Sequence, residues 1–302
     1  MTTHTYRTVD VPVDGGTLRA GVWEPVEALP GEVRTVLAVH GITATHQSWA
    51  SLTAELPGVR VVAPDLRGRG RSNGLGGPYG MARHADDVAA LLATLGIAEA
   101  AVVGHSMGAF VSVVLAHRHP ALVRELLLVD GGLPIDVPPG ADPDALMEAV
   151  LGPAVQRLSM TFPDHAAYRA FWAGHPAFGP DLVAGLGPYF DYDLEPDGAG
   201  WRSSSRVEAV TADQRELVTD AGVVVAALES LTVPTRFVHA PRGLLDDAPL
   251  YSPDHVRRWQ ERLPALTTTW TADLNHYTVV MSPRGARLVA AQLSPTPEGA
   301  RP

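Results

Sequence analysis

The stretch of sequence that decides the fold runs from residue 100 to residue 108 and reads AAVVGHSMG. Its first four residues are small or β-branched and apolar, a composition typical of a short buried strand. The last five have the pattern G-x-S-x-G, and a helical segment follows as far as about His119. A serine in this context occupies a strained turn between strand and helix, where the residues at positions 104 and 108 must be very small. The pattern predicts that Ser106 is a nucleophile whose hydroxyl is presented at the edge of a sheet.

Strand and helix signals alternate on both sides of this turn. The apolar runs at 33–39 and 123–129 predict strands that are buried on both faces. The expected strands of the chain are 6–13, 17–23, 33–39, 59–63, 100–103, 123–129, 235–240 and 266–271. The expected helices are 47–56, 81–95, the segment after Ser106 up to 119, 253–263 and 283–292. Because strands alternate with helices, we predict an α/β fold with a mostly parallel sheet covered by helices on both faces.

Residues 131–231 interrupt this alternation and are rich in proline and aromatic residues. The expected helices of this segment are short and cover 144–151, 164–172 and 207–216. We interpret the segment as a mainly helical lid, inserted after the sixth strand of a core formed by 1–130 and 232–293, with 294–302 as a frayed tail. Some lid aromatics form the lid's own core. The candidates for the wall of an apolar substrate pocket are Phe171, Trp172, Phe178 and Tyr189.

The composition excludes several classes of protein. The chain has 302 residues, with 23 Lys and Arg against 33 Asp and Glu, so its net charge is −10. This charge argues against nucleic acid or an anionic membrane as a partner. Cysteine is absent, which excludes disulfides, thiolate metal sites and a cysteine nucleophile. No cluster of His, Asp and Glu has the spacing of metal ligands, so we expect neither a metal nor a cofactor.

The sequence also bears on location and assembly. The first ten residues, MTTHTYRTVD, lack a basic stretch followed by an apolar run, so no signal peptide is predicted. No apolar stretch approaches the ~20 residues that span a bilayer. We expect a cytoplasmic protein without a membrane segment, and the sequence is compatible with a homo-oligomer.

Together with the turn at Ser106, three further motifs resemble those of the α/β-hydrolase superfamily. They are His-Gly-Ile at 40–42, leading to Trp49, the D-x-R-G-x-G-x-S loop at 65–72, and Asn-His-Tyr at 275–277 between the last strand and the last helix. The resemblance covers almost the whole chain and is weakest in the lid. It implies the α/β-hydrolase fold, with an eight-stranded sheet and a lid after the sixth strand.

The resemblance also implies roles for individual residues. His276 is the expected base, since it follows Ser106 in the chain and lies in the loop where the family places its catalytic histidine. The backbone N–H groups of Ile42 and Met107 are the expected oxyanion hole. The side chain of Ile42 would then be free to line the pocket.

The acid that orients His276 has two candidate positions. Asp130 ends the sixth strand, as in haloalkane dehalogenases and some mycotoxin lactonases, and we favour it. The alternative is Asp246 or Asp247 in the loop after the seventh strand of the sheet, although this loop departs from the usual family spacing by about three residues.

The loop at 65–72 contains Arg67, Arg69 and Arg71, which together could suggest an anion site. We instead expect Asp65 and these arginines to hold the Gly-rich turn near the active site. The glycines from 68 to 80 do not satisfy G-x-G-x-x-G, and no strand-to-helix step frames them, so a dinucleotide site is not predicted.

These features predict a serine hydrolase that cleaves a carboxylic ester or lactone of an apolar substrate through an acyl-enzyme on Ser106. The aromatic lid and an acid on the sixth strand suggest, more specifically, an aromatic or macrocyclic lactone, as for zearalenone-type lactonases. The serine separates this chain from haloalkane dehalogenases and epoxide hydrolases, which use aspartate. Alternatives on the same fold are a carbon–carbon bond hydrolase, a cofactor-free lyase or oxygenase, and a small-molecule receptor.

Overall fold

The computed structural model describes residues 3–27, 33–136, 155–219 and 221–293. The helix expected at 144–151 and the tail expected at 294–302 lie outside these ranges. Among the described helices, none combines the length and the apolar composition needed to cross a bilayer.

Eight strands form one sheet in the spatial order β1-β2-β4-β3-β5-β6-β9-β10. The strands of this sheet are β1 (His4–Val13), β2 (Gly16–Pro25), β3 (Thr35–Val39), β4 (Arg60–Pro64), β5 (Ala100–His105), β6 (Val123–Val129), β9 (Thr235–His239) and β10 (Leu266–Trp270). Strand β2 runs antiparallel to β1 and β4, and the other neighbouring pairs are parallel. The predicted α/β fold is therefore confirmed, and the predicted strands end within about two residues of the observed ones.

Helices cover both faces of the sheet. They are α1 (Ala50–Ala54), α2 (Met81–Thr94), α3 (Met107–Arg118), α4 (His165–Ala173), α5 (Pro180–Gly185), α6 (Gly187–Asp193), α7 (Val207–Thr219), α8 (Ala221–Glu229), α9 (Pro253–Arg262), α10 (Thr278–Met281) and α11 (Pro283–Leu293). The single helix expected at 47–56 is instead a 3₁₀ turn, His46–Trp49, followed by α1.

Alternating residues of the central strands belong to two apolar clusters, one on each face of the sheet. In β3, Leu37 and Val39 pack into the cluster that contains α2 and α3, whereas Val36 and Ala38 pack into the opposite one. This alternation follows from the two-residue period of a strand. Because both faces are covered, β3 is fully buried and all of its residues after Thr35 are apolar.

The segment between β6 and β9, which we call the insertion, contains helices α4 to α8 within its described part. It also contains a two-stranded hairpin, β7 (Leu194–Asp197) and β8 (Gly200–Ser203), that the sequence analysis did not predict. Both strands are four residues long and contain polar residues and Pro196, so they lack the apolar alternation that marks a strand. The division of the chain into a core and a lid stays a prediction.

Candidate active site

Ser106 occupies a strained turn between β5 and α3, with φ 54° and ψ −125°. Glycine is required around it because a Cβ at Gly104 would overlap with the backbone of Ala109, and one at Gly108 with the carbonyl oxygen of Val39. A third close approach involves Gly131, which lies outside the G-x-S-x-G pattern. A Cβ at Gly131 would overlap with the backbone of Ser106 itself. The turn is therefore packed on both sides by backbone alone, which fixes the position of the serine.

His276 and Asp130 are in direct contact. Nδ1 of His276 lies 2.7 Å from Oδ2 of Asp130, and both side chains are buried. The other carboxylate oxygen of Asp130 accepts from the backbone N–H of Ala240 at 3.2 Å. With Nδ1 held by Asp130, Nε2 is the ring nitrogen of His276 left for a group in the pocket, which both His276 and Ser106 line.

Asp246, the alternative acid, makes different contacts. Its carboxylate pairs with Arg242 at 3.0 Å and accepts from the side-chain amide of Asn275 at 2.8 Å. Its contacts therefore go to the residue that precedes His276 in the chain rather than to the imidazole. Asp247, the other alternative, uses its backbone carbonyl to accept from Gly243.

The loop after β3 brings Ile42 beside the serine. A Cβ at Gly41 would lie 3.2 Å from the Cβ of Ser106, so this peptide approaches the turn closely. The ring of His40 bridges two loops, because Nδ1 contacts the carbonyl of Gly41 at 2.7 Å and Nε2 accepts from the amide of Leu66 at 2.9 Å. Burial lowers the pKa of His40 to about 4, so it stays neutral and keeps this donor–acceptor arrangement at neutral pH.

Met107 is the first residue of α3, and its N–H belongs to the first turn of the helix, where amides have no intrahelical acceptor. This amide also lies at the positive end of the α3 dipole. Ile42 and Met107 both lie near Ser106, and their role as oxyanion donors stays a prediction.

His105 restrains the backbone of His276. Nε2 of His105 contacts the carbonyl of His276 at 2.8 Å, while the amide of His276 donates to the carbonyl of Arg242 at 2.9 Å. Burial holds the pKa of His105 well below its usual value, so its ring is a neutral donor. No sequence signal points to this contact.

The pocket above the serine has a mostly apolar wall. The described residues that line it are Gly41, Ile42, Thr43, Ala44, His105, Ser106, Trp172, Tyr189, Leu244, His276, Tyr277 and Met281. None of these carries a permanent charge. Burial raises the pKa of Tyr277 to about 12, so its phenol is neutral as well.

Two of the four expected lid aromatics, Trp172 and Tyr189, line this pocket. Phe171 and Phe178 are absent from its described lining and pack behind it. Phe178 contacts the rings of Trp172 and Tyr277, with centroids 4.9 Å away in both cases. The distinction depends on the orientation of α4 and the following loop, which aromatic composition does not reveal.

The loop at 65–72 is held by buried polar contacts. Asp65 accepts from the ring and the amide of His46 and from the amide of Arg71. Burial alone would raise the pKa of Asp65, but these partners outweigh it and hold the pKa below its usual value. Arg67 pairs with the buried Asp87 at 2.8 Å. The described residues contain no group of three or more His, Asp or Glu arranged to hold a metal ion.

The fold and the geometry of the site point to one family of proteins. A family model described as alpha/beta hydrolase fold matches residues 34–194, which is more than half of the chain. The chain belongs to this family. It is a hydrolase enzyme, as the resemblance implied.

Similar proteins include two named hydrolases. Lipase LipV of Mycobacterium tuberculosis is 30% identical over 225 residues, which cover 72% of this chain and 79% of the lipase. The 2-(acetamidomethylene)succinate hydrolase of Mesorhizobium japonicum is 29% identical over 250 residues, covering 82% of this chain and 83% of that enzyme. A crystal structure of E-2-(acetamidomethylene)succinate hydrolase has a TM-score of 0.75 and 25% identity, and covers 96% of this chain and 98% of that one.

Proposed function

We propose that this hydrolase cleaves a carboxylic ester or lactone of a neutral, apolar substrate through an acyl-enzyme on Ser106. The observation that carries the proposal is the contact between His276 and Asp130 at the floor of a pocket that Ser106 also lines. A serine, a histidine and a carboxylate that act in this order can activate a hydroxyl for attack on a carbonyl carbon.

The proposed reaction proceeds in two halves. In the first, Nε2 of His276 removes the proton of Ser106 as Oγ attacks the carbonyl carbon, and Asp130 stabilises the imidazolium that forms. The amides of Ile42 and Met107 bind the oxyanion, and His276 then gives the proton to the leaving alkoxide. In the second half, His276 removes a proton from water, which attacks the acyl-enzyme and releases the acid and Ser106.

The chemistry of the pocket wall supports an apolar acyl group. Ile42, Leu244 and Met281 contribute aliphatic surface, and Trp172 and Tyr189 contribute aromatic surface. No lysine or arginine belongs to the described lining, so a carboxylate-bearing substrate would enter without a counter-charge there. This argues for a neutral ester, as the name lipase implies for one relative, over a succinate derivative such as that named for the other.

A turnover screen tests the proposal. The purified chain is assayed on short aryl esters, aliphatic and macrocyclic lactones, amides and β-diketones, with Ser106→Ala as the inactive variant and the exposed Ser159→Ala as the matched control. We expect repeated turnover of esters or lactones, loss of at least about 10³-fold in kcat for Ser106→Ala, and no loss for Ser159→Ala.

The screen also separates the alternatives. Preferential cleavage of β-diketones would favour a carbon–carbon bond hydrolase, and a single slow turnover followed by retention of the product would favour a receptor. Full activity of Ser106→Ala would refute the proposal. A macrocyclic lactone is the narrower prediction, and turnover restricted to simple aryl esters would contradict it.

A further inference from the structure

Arg69 lies in the loop after β4 and is fully buried, and its guanidinium contacts three parts of the molecule. Nε donates to the carbonyl oxygen of Ile42 at 2.9 Å. Nη2 lies 3.9 Å from the sulfur of Met107. Nη1 forms an ion pair with Asp213 of helix α7 at 2.6 Å. One buried cation thus connects the two residues proposed as oxyanion donors with a helix of the insertion.

The Ile42 N–H lies in the peptide plane that it shares with the carbonyl of Gly41. This carbonyl contacts the ring of His40 at 2.7 Å and accepts from the amide of Ala44 at 3.1 Å. The next peptide plane meets the first at the Cα of Ile42, and its carbonyl accepts from Arg69. Because rotation about φ or ψ of Ile42 turns one plane against the other, the bond to Arg69 adds a restraint on the N–H from the second plane.

Asp213 fixes the guanidinium in turn. It is fully buried and accepts from the amide of Gly80 at 2.7 Å, and its other oxygen contacts Nε2 of His84 at 2.9 Å. Burial alone would raise the pKa of Asp213, but His84 and Arg69 outweigh it and lower the pKa to about 2. The carboxylate therefore stays ionised at neutral pH, and the ion pair is held in one geometry.

We propose that Arg69 is a positioning residue for the oxyanion hole and that Asp213 extends this restraint from the insertion into the core. The inference rests on the proposed function, because it takes Ile42 and Met107 as the oxyanion donors. Arg69 stands at a variable position of D-x-R-G-x-G-x-S, so the motif itself does not require an arginine there. The planar guanidinium fits because its separate nitrogens reach Ile42 and Asp213 simultaneously.

The substitution Arg69→Lys tests the inference. A lysine keeps the charge for Asp213 but cannot also hold the carbonyl of Ile42 with a second fixed N–H. On an ester that the wild-type enzyme turns over, we expect kcat to fall by about 10- to 100-fold with KM within about twofold. A reduced urea midpoint alone would not produce this division between kcat and KM.

A pair of inhibitors isolates the oxyanion contribution. An aliphatic trifluoromethyl ketone forms a tetrahedral oxyanion on Ser106, whereas the matching secondary alcohol binds without forming one. In Arg69→Lys, the affinity for the ketone should fall by the same factor as kcat, and the affinity for the alcohol should stay unchanged.

Two further variants keep the test decisive. Arg67→Lys is the matched control, since Arg67 is a buried arginine of the same loop paired with Asp87, and it should lower stability without changing the preference for ketone over alcohol. Asp213→Asn leaves Arg69 in place and should lower kcat and ketone affinity in the same direction, which covers the case that Arg69→Lys does not fold.

An unchanged kcat in Arg69→Lys, or equal losses of ketone and alcohol affinity, would overturn the inference while leaving the proposed function intact. Full activity of Ser106→Ala would instead refute the proposed function. The two failures are therefore distinguishable.

Discussion

The carboxylate that contacts His276 illustrates how single contacts distinguish two candidate residues. Asp130 lies 2.7 Å from the imidazole, whereas Asp246 is bound by Arg242 and Asn275. Both carboxylates have a backbone φ in the left-handed region, 45° for Asp130 and 62° for Asp246, so local strain does not distinguish them. Only the residues that each carboxylate contacts distinguish the two aspartates.

This difference predicts unequal effects of the same substitution. Asp130→Asn should lower kcat by about 10⁴-fold, because an amide cannot stabilise the imidazolium and favours the wrong tautomer. Asp246→Asn should lower it by less than about tenfold, since Asp246 acts only through Asn275. Steady-state kinetics on an aryl ester measures both. Similar losses in the two variants would contradict the assignment of Asp130 as the acid.

His40 makes a prediction about pH. Its pKa is about 4 in the folded chain and 6.5 in an unfolded one, so the unfolded chain binds this proton more readily. The free energy of unfolding should therefore fall as the pH drops below 6.5, by about 3 kcal/mol at pH 4 from this group. In His40→Gln, which retains an acceptor for Leu66, urea midpoints between pH 7 and pH 5 should change less than in wild type. If the urea midpoints of wild type and His40→Gln changed equally with pH, His40 would not be the source of the effect.

At the scale of elements, the insertion contains its own buried ion pair. Asp193, at the end of α6, pairs with Arg157 at 2.6 Å and also accepts from Tyr168 and from Ser203 of β8. It thus joins a helix, the unpredicted hairpin and a buried cation. The ring of Trp172, which lines the pocket, lies 5.1 Å from the same guanidinium.

Removing one partner of this pair should be costly. Asp193→Asn leaves Arg157 buried without its counter-charge, and we expect a loss of about 3–5 kcal/mol in the free energy of unfolding. Asp191→Asn in the same helix is the control, because its pair with Arg169 is largely exposed and should contribute less than about 1 kcal/mol. Urea unfolding followed by tryptophan fluorescence compares the two. Equal destabilisation would contradict the structural role of Asp193.

The elements of the core could be predicted from the sequence because their signals are local. Strands such as β3 and β6 are mostly apolar, and Gly104 and Gly108 mark the turn between β5 and α3. The hairpin β7–β8 could not be predicted, because it is held by partners distant in the chain, such as Asn73, which donates to Glu195.

At the scale of the whole molecule, the insertion and the sheet share one apolar cluster. Phe162, Tyr168, Trp172 and Phe190 of the insertion belong to the same cluster as Val103 of β5. Buried ion pairs of Asp213 and hydrogen bonds from Met81 to Glu216 also join the insertion to the part of the chain that precedes it. Movement of the insertion away from the sheet would expose the apolar surface of this shared cluster.

We therefore predict a single unfolding transition. In urea, tryptophan fluorescence, which reports on six tryptophans including Trp172 and Trp201 of the insertion, and far-UV circular dichroism, which reports on all helices and strands, should give the same midpoint. An earlier fluorescence transition, with the circular dichroism signal retained, would show instead that the insertion unfolds independently of the sheet.

The site was predictable only where a motif carried it. Ser106, His276 and the loop at Ile42 follow from patterns along the chain, and the sequence ranked the two acids in the order that their contacts favour. Arg69, His105 and Gly131 could not be recognised, because their partners come from other strands and from the insertion. Contacts of this kind arise only when the topology brings distant segments together.

The position of Asp130 directly after β6 has a consequence for how this enzyme could diversify. The loop after β9 supplies Leu244 to the pocket wall, while the carboxylate that contacts His276 comes from the end of a different strand. Substitutions at Leu244 would therefore reshape the pocket wall and leave the contact between Asp130 and His276 in place. Leu244 is thus a natural position for directed evolution toward new substrates.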